Sequence, residues 1–284
     1  MMLRFAVVAV LVIGSVEMSA QGRRGPRTDR YFDTFGLSAD DWCRQAERNG
    51  RNDRYTSSCD VREESLSGVA SLDVDSGGNG GIRVRGAAGT ATRVRFRVVG
   101  NARDDRDARE IVQAVRITTD GGRVRVTGPR NRDGEWWNVE VEIEAPRELP
   151  MTLTTSNGGI ALEGTTGRAR FDTQNGGVAL RDVAGDVRGR TVNGGVSIAL
   201  QGTQWQGAGL DVETTNGGVR MELPANYNAE LHTETHNGGI DIDFPVTVSG
   251  RLSDMRRRID TRIGSGGAPL RVRTVNGGVS IARR

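Results

Sequence analysis

The sequence predicts an all-β protein built as a parallel β-solenoid, or β-helix, with one short amphipathic helix and a disulfide-closed N-terminal segment. An eight-residue phrase, Thr-x-Asn-Gly-Gly-[Val/Ile]-x-[Leu/Ile/Met], occurs six times, and its first three copies are 18 residues apart. The Thr, the Asn and the apolar pair keep the same phase in each copy. Such a period indicates stacked units that are individually too small to bury their own apolar side. The copies begin at Thr155, Thr173, Thr191, Thr214, Thr235 and Thr274.

The same corner residues leave one alternative fold open. Asn-Gly is the strongest short signal for a β-hairpin, so the repeats could instead form an antiparallel β-meander or sandwich. Identical corners at a fixed period favour the solenoid, because equivalent residues can then lie one above another at a strand spacing of about 4.8 Å.

Residues 1–20 are predicted to be a signal peptide. Arg4 supplies the positive start, residues 5–13 the apolar stretch and residues 18–20 the small residues before a cleavage point. We therefore expect an exported protein, periplasmic or secreted. No later stretch is apolar enough to cross a membrane, so no transmembrane segment is expected after cleavage.

Residues 21–62 are interpreted as a polar, irregular N-terminal arm that precedes a domain of residues 63–284. The chain has two cysteines, Cys43 and Cys59. An even pair in an exported chain is expected to form a disulfide, and closing a loop of this length is worth about 3 kcal/mol in the chain-entropy model.

The first part of the domain alternates apolar and polar residues with the period of half-buried strands, as in Val94, Phe96 and Val98. One segment breaks this rhythm. Over residues 104–115 the apolar residues recur at helical spacing, which predicts an amphipathic helix that covers an end or a flank of the strands.

Each 18-residue unit is predicted to hold two strands and two glycine-marked corners. We expect the Asn-Gly-Gly corner to reverse the chain through positive φ angles, which glycine adopts without steric cost and asparagine tolerates. Stacked corners would form a structural ladder of asparagines, namely Asn157, Asn175, Asn193, Asn216, Asn237 and Asn276.

Two longer gaps between copies are interpreted as insertions in the coil, at residues 201–209 and 243–269. Loops on one side of a solenoid are where binding surfaces usually arise. The second insertion contains Arg256, Arg257 and Arg258, which we consider a possible binding surface.

Several of these passages together resemble the bacterial putative-adhesin family of β-strand-repeat proteins. The matching features are the Thr-x-Asn-Gly-Gly phrases, the helix at 108–115 before a valine strand, the passage 140–146 and the glycine-rich 263–267 before the last repeat. The resemblance covers about residues 60–284. It implies a solenoid fold and a surface-interaction role in an exported or envelope-associated protein, and it carries no catalytic residues to transfer.

No constellation of side chains predicts a reaction, a cofactor or a metal. The two histidines, His232 and His236, fall on a strand about 13 Å apart, which is too far for chelation. The repeat lacks the aspartate of calcium-binding β-rolls. The best carboxylates for a carbohydrate-active enzyme are Asp241, Asp243 and Asp260 beside the arginine run, and we interpret them as exposed charges.

All 39 basic residues are arginine and 36 acidic residues nearly balance them, for a net charge of +3. With 5% aromatic residues, this composition does not indicate a nucleic-acid partner. Rows of arginines and rows of acids alternate with apolar residues along the strands, so we expect opposite charges to pair across strands on a solvated face. The alternative is an arginine-rich face for anionic glycans or lipid headgroups.

The leading hypothesis is an exported, non-enzymatic module for binding, adhesion or scaffolding at the bacterial envelope. Its partner would be an envelope glycan, an anionic lipid headgroup or an envelope protein. Two alternatives stay open, namely a carbohydrate-active β-helix enzyme that acts on envelope glycans and a self-assembling structural protein.

Overall fold

The computed structural model of the protein describes residues 32–50, 54–245 and 257–284. The predicted signal peptide, residues 1–20, and the first part of the predicted arm lie outside the described residues. Within these ranges the elements are two helices and twenty strands: α1 (Ala39–Gly50), β1 (Thr56–Leu66), β2 (Leu72–Asp75), β3 (Ile82–Ala87), β4 (Thr92–Ala102), α2 (Asp105–Ala114), β5 (Arg116–Asp120), β6 (Arg123–Thr127), β7 (Trp136–Pro146), β8 (Met151–Thr155), β9 (Ile160–Glu163), β10 (Arg168–Asn175), β11 (Val178–Arg181), β12 (Asp186–Asn193), β13 (Val196–Ala199), β14 (Gly209–Asn216), β15 (Val219–Leu223), β16 (Ala229–Asn237), β17 (Ile240–Ile242), β18 (Arg258–Ile263), β19 (Pro269–Asn276) and β20 (Val279–Arg283).

The strands form two sheets of ten. The first sheet has the order β1-β4-β7-β3-β9-β11-β13-β15-β20-β17, and the second has the order β18-β16-β19-β14-β12-β10-β8-β2-β6-β5. Most neighbours are parallel, and antiparallel pairs occur at the two ends. This arrangement confirms the predicted solenoid, while the antiparallel alternative describes only the terminal strands.

We use the word rung for two consecutive strands of the chain, the first in the second sheet and the next in the first sheet. The eight rungs stack in the order β6/β7, β2/β3, β8/β9, β10/β11, β12/β13, β14/β15, β19/β20, β16/β17. Equivalent residues face each other, since Thr173 pairs with Thr155 on one side and with Thr191 on the other. Like residues therefore stack on like along the rod.

The rungs at both ends are out of chain order, which the repeat spacing did not predict. The last copy of the phrase lies between its two predecessors, because Thr274 pairs with Thr214 and with Thr235. The segment 243–269 is therefore not a simple insertion in a coil. It contains β18, which covers the free edge of β16 in antiparallel fashion before the chain returns.

The glycines of the repeat are required for a reason other than the predicted one. Among the described residues, positive φ angles occur at residues such as Gly185 (φ 93°), and none of the Asn-Gly-Gly corners adopts one. Instead, a Cβ atom added at Gly194 would lie 2.1 Å from the carbonyl oxygen of Gly176 in the neighbouring rung. The first glycine of each corner thus permits close approach of two backbones, and the prediction of a positive-φ reversal was wrong.

The threonine that begins every copy of the phrase stabilises the same contact between the corners of neighbouring rungs. Thr191 is buried, and its Oγ1 donates a hydrogen bond of 2.7 Å to the Gly176 carbonyl oxygen. Thr173 and Thr214 make the equivalent bonds to the corners of their neighbouring rungs, at 2.8 and 2.7 Å. A hydroxyl at this position satisfies a carbonyl that would otherwise face the protein interior.

The apolar side chains of the two sheets meet in one continuous core. Val178, Leu180 and their stacked equivalents are almost fully buried. The packing is complementary in size between rungs, because the Phe171 ring occupies the space that a side chain at Gly189 would need: an added Cβ would lie 2.2 Å from Cδ2 of the ring. The core thus depends on each rung being covered by the next.

The predicted helix is present as α2, with Asp104 as its N-cap. It packs its buried residues Ala108, Ile111 and Val112 on β4 and β1, at one end of the rod. A second helix, α1, occupies part of the predicted irregular arm, so the expectation of a single helix was wrong. Ser38 caps α1, because its Oγ accepts a hydrogen bond of 3.1 Å from the Asp41 amide.

The two glycines of one corner provide a test of the close-approach requirement. A Cβ atom at Gly194 would meet a backbone oxygen at 2.1 Å, whereas one at Gly195 would be 3.4 Å from its nearest neighbour. We expect Gly194→Ala to lower the unfolding free energy by about 2 to 3 kcal/mol and Gly195→Ala to change it by less than about 1 kcal/mol. Urea denaturation of both variants measures the difference, and equal stabilities would contradict the requirement.

Candidate functional site

The outer side of the first sheet carries rows of opposite charge. Arg93, Arg95 and Arg97 on β4 lie opposite Glu144, Glu142 and Glu140 on β7. The Arg95 guanidinium lies 3.4 Å from Glu142 and 2.8 Å from Glu63. The predicted pairing of opposite charges across strands is confirmed.

An N-terminal aromatic segment, residues 32–46, covers much of this charged side. Phe32 packs on Ala161 and Ala179 of two adjacent rungs. Its ring lies 4.5 Å from the Arg181 guanidinium, and the Phe35 ring lies 4.2 Å from that of Arg85. These contacts combine apolar burial with cation–π attraction.

Trp42 on α1 continues the cover over the next strand. It is fully buried, and its ring centroid lies 4.9 Å from the Arg95 guanidinium and 5.2 Å from that of Arg97. Arg97 also donates a hydrogen bond of 3.0 Å to the Trp42 carbonyl oxygen. Burial lowers the pKa of Arg97, and Glu140 opposes this shift. A disulfide joins Cys43 of α1 to Cys59 of β1 and holds the cover to the sheet.

Glu142 lies beneath the aromatic segment and is 1% exposed. Thr34 donates a hydrogen bond to its Oε1, and Arg95 lies on its other oxygen. Burial raises the pKa of Glu142 above its ordinary value, although the Thr34 hydrogen bond and the nearby Arg83, Arg95 and Arg97 oppose the rise. The aromatic segment thus covers Glu142, and a cavity of about 340 Å³ at its border is lined by Glu142 with Arg93, Arg95 and Glu144.

The second sheet has no such cover among the described residues. We call its outer side chains on β10, β12, β14 and β19 the arginine face. It contains six arginines and four carboxylates, and its members are Arg168, Arg170, Asp172, Asp186, Arg188, Arg190, Asp211, Glu213, Arg271 and Arg273.

Asp186 lies at the edge of the arginine face where β12 begins, next to Arg168 of β10. Its carboxylate lies 2.9 Å from Arg170 and 3.0 Å from Arg188, and these contacts lower its pKa. Arg168, with 70% of its side chain exposed, lies 3.9 Å from the same carboxylate. Arg271 has no acidic partner within 4.0 Å among the described residues. Several guanidiniums therefore share one acid and keep free donors toward solvent.

A shallow depression of about 400 Å³ runs across the same face. Thr152 and Thr154 form a low border, because their side chains are short. Arg170, Arg190 and Arg273 line it together with acids, because Asp172 lies 2.6 Å from Arg190 and Asp211 lies 3.0 Å from Arg273. The arrangement offers planar, fixed donors for carboxylate, sulfate or phosphate groups.

The six predicted asparagines form a continuous ladder along one edge of the rod. In each step the Nδ2 of one amide donates to the Oδ1 of the next, as from Asn193 to Asn175 at 2.8 Å and from Asn216 to Asn193 at 2.7 Å. Asn79 extends the ladder beyond Asn157 at 3.0 Å. In space the order is Asn157, Asn175, Asn193, Asn216, Asn276 and Asn237.

The predicted arginine run is only partly described. Arg256 lies outside the described residues. Arg257 accepts a hydrogen bond from the Thr235 amide at its carbonyl oxygen, and Arg258 pairs with Asp260 at 2.7 Å. The Asp260 carboxylate also lies 2.7 Å from His232 Nδ1. Arg258 thus lies at the end of the rod on the same outer side of the second sheet as the arginine face, and β16 separates its strand from β19.

The predicted carboxylates do not come together as an acid and base pair. Asp241 and Asp243 belong to the first sheet region at β17, whereas Asp260 belongs to the second sheet. Asp243 pairs with Arg283 at 3.3 Å. Within the described ranges, no group of three or more His, Cys, Asp or Glu side chains is placed to hold a metal ion. None of the described helices has the length and apolar composition that a membrane crossing requires.

The chain belongs to the Toastrack family, DUF4097, which matches residues 112–282 and hence more than half of its length. This confirms the resemblance and the solenoid-like fold. A search of curated proteins finds no match.

Solved structures of similar fold come from several bacteria. A putative cell adhesion protein from Clostridium sporogenes is 10% identical, with a TM-score of 0.43 over 80% of this chain and 100% of that one. A putative adhesin from Bacteroides fragilis is 10% identical, with a TM-score of 0.35 over 78% of this chain and 97% of that one. A putative lipid binding protein from Parabacteroides distasonis is 10% identical, with a TM-score of 0.27 over 79% of this chain and 96% of that one.

Two features of the site were missed at the sequence level. The aromatic segment has a local signal, since Ser38 and Asp41 have the spacing of a helix N-cap and Trp42 follows directly. No local sequence signal shows which charged side is covered and which is open, because the same alternation of Arg and acid occurs in both sheets.

The asparagine ladder provides a test of its structural role. Asn193→Ala removes two amide hydrogen bonds at once, to Asn175 and from Asn216. We expect the unfolding free energy to fall by about 1 to 2 kcal/mol, in line with two partly exposed hydrogen bonds. The control is Asn131→Ala, an exposed asparagine outside the ladder, and a loss of equal size in both variants would refute the role.

The buried Glu142 predicts a pH dependence of stability. The pKa of Glu142 is raised in the folded state. Above pH 4.5, the ordinary pKa of this carboxyl, the unfolded chain therefore releases a proton that the folded protein still holds. Its contribution to stability therefore falls as the pH rises through that value. We expect the difference in unfolding free energy, wild type minus Glu142→Gln, to decrease between pH 4 and pH 7. A difference that stays constant or increases would contradict this assignment.

Proposed function

We propose that this protein is an exported, non-enzymatic, adhesion-like binding module of the bacterial envelope, and that its arginine face binds an anionic polymer there. The observation that carries the proposal is the open outer side of the second sheet, where arginines outnumber acids and recur from rung to rung. A ligand with regularly spaced anionic groups can engage several rungs at once, which multiplies weak single contacts.

Two further features support export. The first is the predicted signal peptide, and the second is the Cys43–Cys59 disulfide, a linkage that persists in oxidising compartments such as the periplasm and the extracellular space. The rod itself suits a module of this kind, because in-register rungs hold the charged side chains on a rigid scaffold.

The proposal is tested by the binding of sulfated dextran and of unmodified dextran, which share a backbone and differ in charge. We expect the protein to bind the sulfated polymer alone, and the affinity to fall steeply as salt is raised. A double variant, Arg188→Gln with Arg271→Gln, should bind at least about tenfold more weakly, since each lost contact costs about 1 kcal/mol or more.

The matched control removes the same charge elsewhere. Arg93 and Arg109 are exposed and lie outside the arginine face, and the double variant Arg93→Gln with Arg109→Gln should bind like the wild type. Equal losses in the two double variants would show that net charge alone drives binding. Equal binding of the neutral dextran would also overturn the proposal.

A further inference from the structure

A second cavity of about 390 Å³ lies at the β6/β7 end of the rod, between α2 and the loop that joins β6 to β7. Asp107 and Glu110 of α2 line one side. Arg130, Asn131 and Arg132 of the loop line the other, and Trp136 completes the wall. The volume lies in the lower part of the range for ligand pockets, about 300 to 1,000 Å³. None of these residues belongs to the arginine face.

Trp136 is one of the few large apolar side chains that the described structure leaves exposed, at 37%. Its ring is held in place by an edge-on contact with Tyr55, with 4.9 Å between the ring centroids. A fixed indole at the surface of a cavity offers a flat apolar platform at little entropic cost.

The loop beside Trp136 is held by hydrogen bonds at both of its ends. Trp137 donates from Nε1 to the Pro129 carbonyl oxygen at 2.8 Å. The backbones of Arg132 and Glu135 exchange two hydrogen bonds, of 2.9 and 3.1 Å. The cavity is therefore formed before a ligand arrives, which lowers the cost of binding.

The two sides of the cavity differ in how their charges are compensated. Arg106 lies 3.2 Å from Asp107 and 3.9 Å from Glu110, so the acids of α2 share a cation. Arg130 and Arg132 have no acidic partner within 4.0 Å in the described part of the chain. The loop also carries Glu135, which lines the cavity, and Asp133, which lies 3.9 Å from Arg103, so neither the Arg130 nor the Arg132 guanidinium is held in an ion pair.

We propose that this cavity binds an acidic sugar residue, meaning a pyranose ring that carries a carboxylate. The C–H face of the ring would stack on Trp136, and the carboxylate would accept hydrogen bonds from Arg130 or Arg132. The ring hydroxyls could donate hydrogen bonds to the carboxylates of α2 and exchange hydrogen bonds with the Asn131 amide. This site goes beyond the arginine face, and either site can fail alone.

The test uses trigalacturonic acid and its fully methylated ester, which has the same rings without the charge. Binding is measured by calorimetry and by tryptophan fluorescence. We expect the acid to bind at least about tenfold more tightly than the ester. Trp136→Ala should weaken binding at least about tenfold, Trp136→Phe should retain most of it, and Arg130→Gln with Arg132→Gln should reduce the preference for the acid.

The control variant is Arg93→Gln with Arg109→Gln, which removes two exposed charges outside both sites and should bind the trisaccharide like the wild type. Urea midpoints equal to that of the wild type establish that each variant is folded. The proposal is overturned if Trp136→Ala binds as the wild type does, if the ester binds as tightly as the acid, or if no binding occurs at millimolar trisaccharide. Loss of binding in the control variant would show that net charge, and not the cavity, holds the trisaccharide, and would overturn the proposal as well.

Discussion

The whole rod depends on how closely one Asn-Gly-Gly corner approaches the next. At each step the first glycine brings its backbone against a carbonyl oxygen of the neighbouring rung, as Gly194 does with Gly176, and a buried threonine such as Thr191 donates to that same oxygen. The contact has no room for a Cβ atom. It aligns the rungs without offset, since any shift by one residue would bring side chains into this space and turn the apolar residues outward.

In-register stacking explains why charge is the dominant feature of both outer sides. Residues that point outward in one rung lie beside their equivalents in the next, so opposite signs in neighbouring rungs limit repulsion. Where two arginines are direct partners, at Arg170 and Arg188, Asp186 lies against both. The two sheets use this alternation differently. Over the first sheet, aromatic residues lie on guanidiniums and bury Glu142 almost completely, whereas over the second sheet Arg168 and its neighbours face solvent.

The ends of the rod follow a common plan. At each end the chain first forms the outermost strands, which include an antiparallel strand at the edge, and then returns to add one rung between these strands and the rest of the rod. The rung β19/β20, for example, lies between β14/β15 and β16/β17. Antiparallel strands, β1, β5 and β18, end three of the four sheet edges and stop the in-register parallel repeat there, whereas β17 ends the fourth; this plan disfavours an open-ended fibre. It also places the loop between β6 and β7 beside α2, which creates the cavity at Trp136.

The sequence by itself determined the repeat, the solenoid class, the helix α2 and the asparagine ladder, because each depends on local spacing or on like residues in phase. It also predicted the cross-strand pairing of Arg95 and its neighbours with the acids of β7. Only the tertiary structure decided the order of the terminal rungs, since Thr274 is equally suited to pair with Thr214 or with Thr235 and in fact lies between them. The role of the corner glycines, the cover by Phe32 and Trp42 and the cavity at Trp136 were decided there too, because each arises from contacts between segments far apart in the chain, and such contacts leave no periodic trace in the sequence.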